Sequence, residues 1–392
     1  MAEDPKRQQW LWGLAIPAVA NVALLGYQFG PKFTRKLCAA TGLLTLHLAL
    51  PWLDRHLGED TNNPDEATVA RLEQDPYYLH IVKAYIPLQY SANVYAAYLA
   101  SRVQTSTLDR VLLGTLLGVV NAVAMNVAHE LGHKKDKKQH LWAHLALLPS
   151  LYSHFRIEHN YGHHRHVATP LDSASARLGE SFWRYLPRTV QGGLCSAIKI
   201  EQQRLARRGE RFFSVQNELL QAWSAAIAYQ MLSWGGFGHR GFVMQGVQSA
   251  YAITILEAVN YMEHYGLKRT QYADGSYQRI APEHSWNNNS RFSNLLFYQL
   301  QRHSDHHAYP QRGFQALRHY EHVPQLPAGY GALLHEVFIP QRWFALMDAR
   351  VLRYYQGDLN RVHIEATTRD HIQQRYAVLI AQLKTQQQQT AA

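Results

Sequence analysis

The sequence contains few cysteines and few charged residues for its length. Of 392 residues, two are cysteine, Cys38 and Cys195, and they lie far apart along the chain. Two cysteines cannot form a disulfide framework, a cysteine-ligated zinc site or an iron–sulfur cluster. Charged residues make up 17% of the chain, against about 25% in typical soluble domains, while hydrophobic residues make up 47%. This composition excludes a disordered or fibrous protein.

The charge that is present is mostly positive. Lys and Arg number 39 against 29 Asp and Glu, a net charge of +10 with neutral histidine. The basic residues are spread along the chain beside apolar runs, and no nucleic-acid motif accompanies them. We therefore expect a membrane surface or an acidic protein as partner, and no nucleic acid. The charged start, without a small-residue cleavage site after the first apolar run, predicts no cleavable signal peptide.

Six apolar stretches are candidates to cross a bilayer, which takes about 20 mainly apolar residues each. Several contain Gln, Ser, Asn or His, so a soluble helical bundle stays open as the alternative. Strand-like alternation is scarce, and we predict an all-α, polytopic membrane protein of one membrane-embedded domain. The six predicted spans are 10–29, 37–53, 77–100, 111–133, 219–234 and 242–264.

Four lysines, at 134, 135, 137 and 138, directly follow the fourth predicted span. Basic loops favour the cytoplasmic side, so this end and, with an even span count, both termini are predicted to be cytoplasmic. The blocks 134–218 and 265–380 then form a cytoplasmic helical cap. The basic loop 32–36 on the opposite side conflicts with this rule. The polar segment 386–392 is predicted to be a disordered tail.

Histidine is the residue in excess, with 23 in the chain and nine between His129 and His166. Three groups share a spacing that places imidazoles on one face of a helix, and His264 stands alone at the end of the sixth span. One zinc ion takes four ligands, so this number indicates two metal ions with four or five imidazoles each. The candidate ligands are His129, His133, His159, His163, His164, His264, His303, His306 and His307.

Carboxylates adjoin these histidines and are predicted to accept the outer ring N–H of a ligand, which raises its basicity. They are Glu130, Glu158, Glu263 and Asp305. A shorter motif competes: HELGH (129–133) also matches the H-E-x-x-H helix of zinc metalloproteases. A protease would leave the other histidine groups without a function, so an intramembrane zinc protease is the remote alternative.

The histidine motifs together resemble those of the integral-membrane alkane 1-monooxygenases. They are HELGHKK (129–135), EHNYGHH (158–164), NYMEHYGL (260–267) and LQRHSDHH (300–307), with further similarity in GEDTNNP (58–64), ATPLD (168–172) and HSWN (284–287). Fatty-acyl desaturases and xylene monooxygenases share the histidine groups, whereas NYMEHYGL and LQRHSDHH narrow the resemblance to alkane hydroxylases. The spans are more polar than the family leads one to expect.

The resemblance implies six membrane helices under a cytoplasmic cap, with the nine histidines as ligands of a non-haem diiron centre. It implies O2-dependent terminal hydroxylation of medium- or long-chain n-alkanes to primary alcohols, in the bacterial inner membrane with the active site on the cytoplasmic side. Electrons would come from a separate rubredoxin, reduced by an NAD(P)H-rubredoxin reductase, and this chain would bind no haem or flavin. A membrane fatty-acyl desaturase or related diiron hydroxylase is the alternative.

Two further assignments concern substrate and partner. Leu46 and Leu50 share one face of the second predicted span and are candidate walls of a substrate channel, with packing against lipid or another helix as the alternative. A basic run is the candidate docking face for an acidic redox partner, with anionic lipid or a solvated helix face as the alternative. It consists of Lys199, Arg204, Arg207, Arg208 and Arg211.

Overall fold

The computed structural model describes residues 4–391 and is built of helices. Among these residues, extended pairing is limited to four isolated β-bridges, such as Glu59 with Ser290 and Leu178 with Ile364. The all-α class predicted from the sequence is confirmed.

The helices differ widely in length, from single turns to 47 residues. They are α1 Ala15–Phe29, α2 Arg35–Ala39, α3 Thr41–Leu44, α4 Leu50–Leu57, α5 Glu66–Gln74, α6 Pro76–Ser101, α7 Thr107–Gly132, α8 Lys137–Leu147, α9 Phe155–Glu158, α10 His164–His166, α11 Phe182–Ala206, α12 Glu218–His264, α13 Arg291–Leu296, α14 His303–Ala308, α15 Tyr330–Val337, α16 Pro340–Tyr354, α17 Arg369–Arg375 and α18 Ala377–Ala391. Short 3-10 turns lie at Gln9–Leu14, Lys32–Thr34, Leu148–Ser150, Pro282–His284, Phe314–Ala316 and Ala366–Thr368, and π-helical turns at Thr45–Ala49 and His159–His163.

Three helices in the described part of the chain are long and apolar enough to cross a membrane. They are Gln9–Phe29, Thr107–Gly132 and Glu218–His264. Lys32–Ala39 and Thr41–Leu57 make a fourth if this pair, bent by 54°, counts as one span. This is fewer than the six predicted spans, although each predicted stretch falls on helix. The difference arises at α6, which is long but carries polar residues, and at α12, which contains two predicted stretches.

Helix α12 is interrupted at Gly238. This residue has φ 63° and ψ −173°, a backbone conformation that is essentially restricted to glycine. A Cβ atom here would meet nothing within 4 Å, so the glycine serves the backbone rather than close packing. The break divides the 47 residues between two of the predicted spans.

The polar residues within the predicted spans have a structural explanation. Helix α8, in a segment predicted to be cap, turns back along α7, and its C-terminal end is buried against α6 and α12. Carbonyl groups at a helix end lack intrahelical partners, so buried ones need side-chain donors. Donors come from both helices: Gln89 to Ala146 O (2.9 Å), Tyr90 to Leu145 O (2.8 Å), and Gln230 (3.2 Å), Ser249 (3.1 Å) and Gln248 to Pro149 O.

The C-terminal end differs from the prediction. Helix α18 continues through Ala391, where the sequence predicted a disordered tail from residue 386. Glutamine has a helix propensity close to that of leucine, so a glutamine run extends a helix that has already begun. The last residue of the predicted tail lies outside the described part of the chain.

Candidate metal centre

Four separate segments bring the nine candidate histidines together. His129 lies in the last turn of α7, with His133 directly after it, and His264 is the last residue of α12. The π-helical turn and α10 carry the histidines at 159, 163 and 164, and α14 carries those at 303, 306 and 307.

The nine side chains form two groups, and in each group the ligand atoms lie within 4.8 Å of one another. The five-histidine group is His129, His133, His159, His164 and His306, and the four-histidine group is His163, His264, His303 and His307. The groups are neighbours, since the rings of His164 and His307 stack at 4.4 Å. The two groups match the number of ions expected from the sequence.

Local helix geometry explains how adjacent histidines are divided between the groups. His303 and His307 are four residues apart on α14 and share a face, which leaves His306 directed to the other group. The π-helical turn is wider than an α-helical one, and His159 and His164, five residues apart, meet with their Nε2 atoms 3.0 Å apart.

The imidazole nitrogens are spaced as metal ligands are. The Nε2 atoms of His129 and His306 are 2.8 Å apart, and those of His303 and His307 are 2.9 Å apart. With metal–imidazole bonds of about 2.1 Å, adjacent ligand atoms lie about 3 Å apart, so these separations fit a shared ion. The Nε2 atoms of His133 and His163 are buried and have no hydrogen-bond partner among the described residues. The donor set therefore fits metal ions.

The environment favours neutral imidazoles, the form that binds metals. Burial lowers the pKa of His159 and His164 in the first group, and of His303 and His307 in the second, well below the ordinary value. Neighbouring imidazoles lower these pKa values further, because two adjacent positive charges repel. These four imidazoles therefore stay uncharged at neutral pH. The pKa of His163 is different: burial lowers it, but the charge of Asp172 and the hydrogen bond to Asp172 outweigh burial and raise it.

Asp172 accepts the outer ring N–H of His163. Its Oδ2 lies 3.0 Å from His163 Nδ1 and also accepts from Ser175 Oγ (2.6 Å), while the Ala174 N–H donates to Oδ1 (3.0 Å). Burial alone would raise the pKa of Asp172, but the contact with His163 outweighs it and lowers this pKa. Such a carboxylate orients a ligand ring and raises its basicity.

An apolar cavity lies close to the four-histidine group, because Tyr330 lines the cavity and donates to Glu263, whose other oxygen is 3.2 Å from His303 Nε2. Leu46 and Leu50 form part of its wall, and Asn126, Leu300 and Tyr330 also line it. Asn126 lies three residues before the candidate ligand His129, and Leu300 lies three residues before His303. None of the side chains that line the cavity is charged. The geometry thus combines a histidine-rich metal site with an apolar chamber.

Comparison with known proteins gives the family. A family model described as fatty acid desaturase matches residues 106–338, which contain all nine histidines. An alkane 1-monooxygenase of Acinetobacter baylyi is 48% identical over 92% of this chain and 88% of its own length. This chain belongs to the alkane 1-monooxygenase family. An alkane 1-monooxygenase of Pseudomonas putida is 41% identical over 93% of this chain and 90% of its own length.

A further relative is more distant. The xylene/toluene monooxygenase hydroxylase component of Pseudomonas putida is 29% identical over 46% of this chain and 48% of its own length. The resemblance to the alkane 1-monooxygenases that the motifs indicated is therefore confirmed, and so is the relationship to desaturases and xylene monooxygenases.

Within this family framework, two of the four predicted carboxylates have other partners. Glu130 forms an ion pair with Lys134 (2.7 Å), and Asp305 accepts from Arg312 (2.7 Å) and from Tyr320 Oη (2.6 Å). A nearby cation is a better partner for a carboxylate than a neutral ring N–H, and it takes the oxygens that the prediction assigned to histidine. Asp305 thereby braces the loop that follows α14.

The other two predicted carboxylates are buried at the centre. Glu158 lies beside Gly162, and burial followed by the charge of Asp172 raises its pKa to about 8. Glu263 approaches His303 at 3.2 Å, but it does so at Nε2, the ring nitrogen that faces the group, rather than at the outer nitrogen. The predicted role as outer acceptor is thus filled by Asp172, not by Glu263.

The ion pair of Glu130 also bears on the protease alternative. A zinc protease needs the glutamate of H-E-x-x-H free to act as general base on a metal-bound water. Here Glu130 Oε1 is occupied by Lys134, and the Phe314 N–H also points to it (3.4 Å). His133 and His129 belong to a five-histidine group, which a protease does not require. The arrangement argues against proteolysis.

The predicted docking residues lie at the C-terminal end of α11 and in the following loop. Lys199, Arg207, Arg208 and Arg211 are exposed, whereas Arg204 is held by two hydrogen bonds of 2.6 Å to Glu201. The charge of Arg204 is therefore neutralised within the chain. The other four cations stay available to a partner, and their docking role stays a prediction.

A second polar region adjoins the centre directly. His133 is the least buried of the nine histidines, and it lines a wide, solvent-open pocket together with Lys134, Lys135, Tyr309 and Arg312. Sequence reasoning did not identify this pocket, because its residues come from three separate parts of the chain: the α5–α6 region, the end of α7 and the loop after α14. Asp172 was within reach of the sequence, since it closes the ATPLD motif, but no spacing rule connected it to His163.

Proposed function

We propose that this protein is an iron-dependent alkane 1-monooxygenase that hydroxylates the terminal carbon of a medium- or long-chain n-alkane. In this reaction a terminal CH3 group becomes CH2OH with one oxygen atom of O2. The other oxygen atom takes up two electrons and two protons and leaves as water. The observation that carries the proposal is the apolar, uncharged cavity, which Tyr330 and Glu263 connect to His303 of the four-histidine group.

The cavity suits an alkane better than a fatty acid derivative. An alkane has no polar group, so its position is determined by the shape of an apolar chamber. An acyl substrate would require a cation or several hydrogen-bond donors at one end, and the wall offers only Thr45, Asn126 and Tyr330 as polar side chains. The amide of Asn126 is already engaged by the carbonyl of Phe297 (2.7 Å). This favours hydroxylation of a hydrocarbon over desaturation of an acyl chain.

The histidines would hold two iron ions, which supply activation of O2 and oxidation of a C–H bond when bound. The chain itself contributes imidazoles in two neighbouring groups, with Asp172 fixing the ring of His163. The cavity wall excludes water and directs the end of the substrate toward the groups. Leu46 and Leu50 limit how far the chain extends on the other side.

Electrons are proposed to come from rubredoxin, itself reduced by an NAD(P)H-rubredoxin reductase. Support for an external donor comes from the polar pocket at His133, where one ligand candidate of the five-histidine group is accessible to solvent. Lys135 on its rim, and the exposed cations of α11 and the loop after it, would attract an acidic partner, and this steering weakens with salt.

The membrane arrangement we propose has six spans in the bacterial inner membrane. Forty-seven residues of helix extend about 70 Å, more than twice the roughly 30 Å of a hydrocarbon core, so α12 would cross twice with Gly238 at the turn. Helix α6 is long enough for one crossing, and two of the polar residues that keep its hydropathy low, Gln89 and Tyr90, cap α8. The lysines after α7 would place the metal centre on the cytoplasmic side.

The test combines metal analysis with product analysis. We expect about two irons per chain in protein purified with iron supplied, fewer in His303→Ala, and no loss in His166→Ala, whose ring lies outside both groups. With rubredoxin, reductase and NADH, an n-alkane should yield the 1-alcohol. An unsaturated product would identify a desaturase, and a single zinc that His303→Ala does not affect would refute the diiron assignment.

A further inference from the structure

Glu263 is a buried carboxylate in contact with the four-histidine group. It is 1% exposed and lies directly before His264 at the end of α12. Its Oε2 is 3.2 Å from His303 Nε2. The same nitrogen is 2.9 Å from His307 Nε2 and 3.3 Å from His264 Nε2. The carboxylate therefore meets the inward-facing side of the four-histidine group.

We infer that Glu263 is a fifth donor to the four-histidine group, binding a metal ion there through Oε2. This inference rests on the proposed function, since it concerns the same centre. The distance of 3.2 Å is close to the separation of about 3 Å between adjacent ligands on one ion. Both groups would then offer five donors. One anionic ligand would also offset part of the ion's charge, which neutral imidazoles leave uncompensated.

Tyr330 leaves one oxygen of Glu263 available. Its hydroxyl donates to Oε1 at 2.6 Å, so that oxygen is occupied and Oε2 is directed to the histidines. The Tyr330 backbone N–H donates to Gln301 Oε1 at 2.9 Å, which fixes the start of α15. Because Tyr330 also lines the apolar cavity, the same residue links the substrate chamber to the metal group.

Glu257, two turns earlier on α12, is a natural comparison. It is also buried, but protein groups satisfy both of its oxygens: Tyr152 donates to Oε1 (2.9 Å), and Thr189 and Asn260 to Oε2 (both 3.2 Å). A buried carboxylate needs such partners, because removal from water is costly. Glu263 has one neutral donor and a histidine nitrogen, so a metal ion supplies the compensation that Glu257 receives from the protein.

The experiment loads the full-length protein in detergent with ⁵⁷Fe and compares wild type with Glu263→Gln. Readouts are iron per chain, iron retention against a chelator, and the Mössbauer spectrum. Loss of a ligand should weaken the binding of one of the two irons by about tenfold or more. It should also change one quadrupole doublet and leave the other unchanged. Glu257→Gln, the matched buried variant, should keep both doublets and the wild-type retention.

Tyr330→Phe gives a second test, which stays valid if Glu263→Gln does not fold. It keeps the carboxylate but frees Oε1, so two irons should bind and the same single doublet should shift. Unchanged doublets and unchanged retention in both variants would overturn the inference, even if wild type binds two irons and hydroxylates alkane. Wild type with one zinc or no iron would instead overturn the proposed function.

Discussion

Enlarging Leu46 should shorten the longest alkane that the protein accepts. Leu46 is 5% exposed and its side chain forms part of the cavity wall, within the π-helical turn Thr45–Ala49. In Leu46→Trp the indole would occupy space that the substrate chain uses. Each methylene that no longer fits forfeits about 0.8 kcal/mol of apolar burial, roughly fourfold in affinity. Overlap with a rigid wall raises the discrimination to about 10- to 200-fold per methylene.

The assay is competition among n-alkanes of increasing length, with the 1-alcohols quantified by gas chromatography. We expect kcat/KM in Leu46→Trp to fall for the longest accepted alkanes and to stay near wild type for the shortest. Leu48→Trp is the matched control, because Leu48 lies in the same turn but is 62% exposed and faces away from the cavity. An unchanged product profile in Leu46→Trp, or an equal shift in Leu48→Trp, would refute this wall assignment.

Gly331, which packs against Leu46 and Leu50 in the cavity wall, allows the same reasoning to be tested with a single methyl group. A Cβ atom at this position would lie 3.0 Å from Leu50 Cδ2, so Leu50 must move by a few tenths of an ångström. Gly331→Ala should therefore shift the chain-length profile in the same direction as Leu46→Trp, by a smaller amount. A shift toward longer alkanes would contradict the cavity geometry.

Three further predictions concern the metal centre and the fold. Asp172→Asn should weaken iron retention by about 10- to 100-fold, because His163 loses the carboxylate that orients and polarises it; chelator competition measures this, and wild-type retention would exclude that role. Gln89→Leu leaves the Ala146 carbonyl buried without its donor and should lower the stability in detergent by about 1–3 kcal/mol, with an unaltered melting temperature as the contrary result. Gly238→Ala should lower the free energy of unfolding by about 1–3 kcal/mol. Backbone strain alone causes this loss, since the space around Gly238 is open. An unfolding free energy equal to that of wild type would contradict the strain.

Much of the centre could be read from the sequence because its information is local. Ligands four residues apart on a helix share a face, so the pairs 129/133 and 303/307 were recognisable without a fold. The excess of imidazoles over the needs of one ion indicated two metals, and the motifs indicated the family. Leu46 and Leu50 shared a face by the same periodicity, and the cavity includes both.

The structure was required wherever the answer depends on distances between segments. Whether Glu130 pairs with a ring or with Lys134, and whether Asp172 reaches His163, depends on which groups approach within about 3 Å after folding. Polar residues such as Gln89 appeared out of place in an apolar helix. Only the inserted end of α8 shows that they supply donors to buried carbonyl groups.

The sequence by itself determined the helical class, the nine histidines and their family, since helix periodicity and ligand identity reside in neighbouring residues. Tertiary structure alone decided the division of the histidines into five and four, and the position of Glu263 at the smaller group. That division follows from a π-helical turn and from the approach of α14 to the ends of α7 and α12. Such through-space contacts join residues up to 177 positions apart, as His129 and His306 are, and no local pattern encodes them.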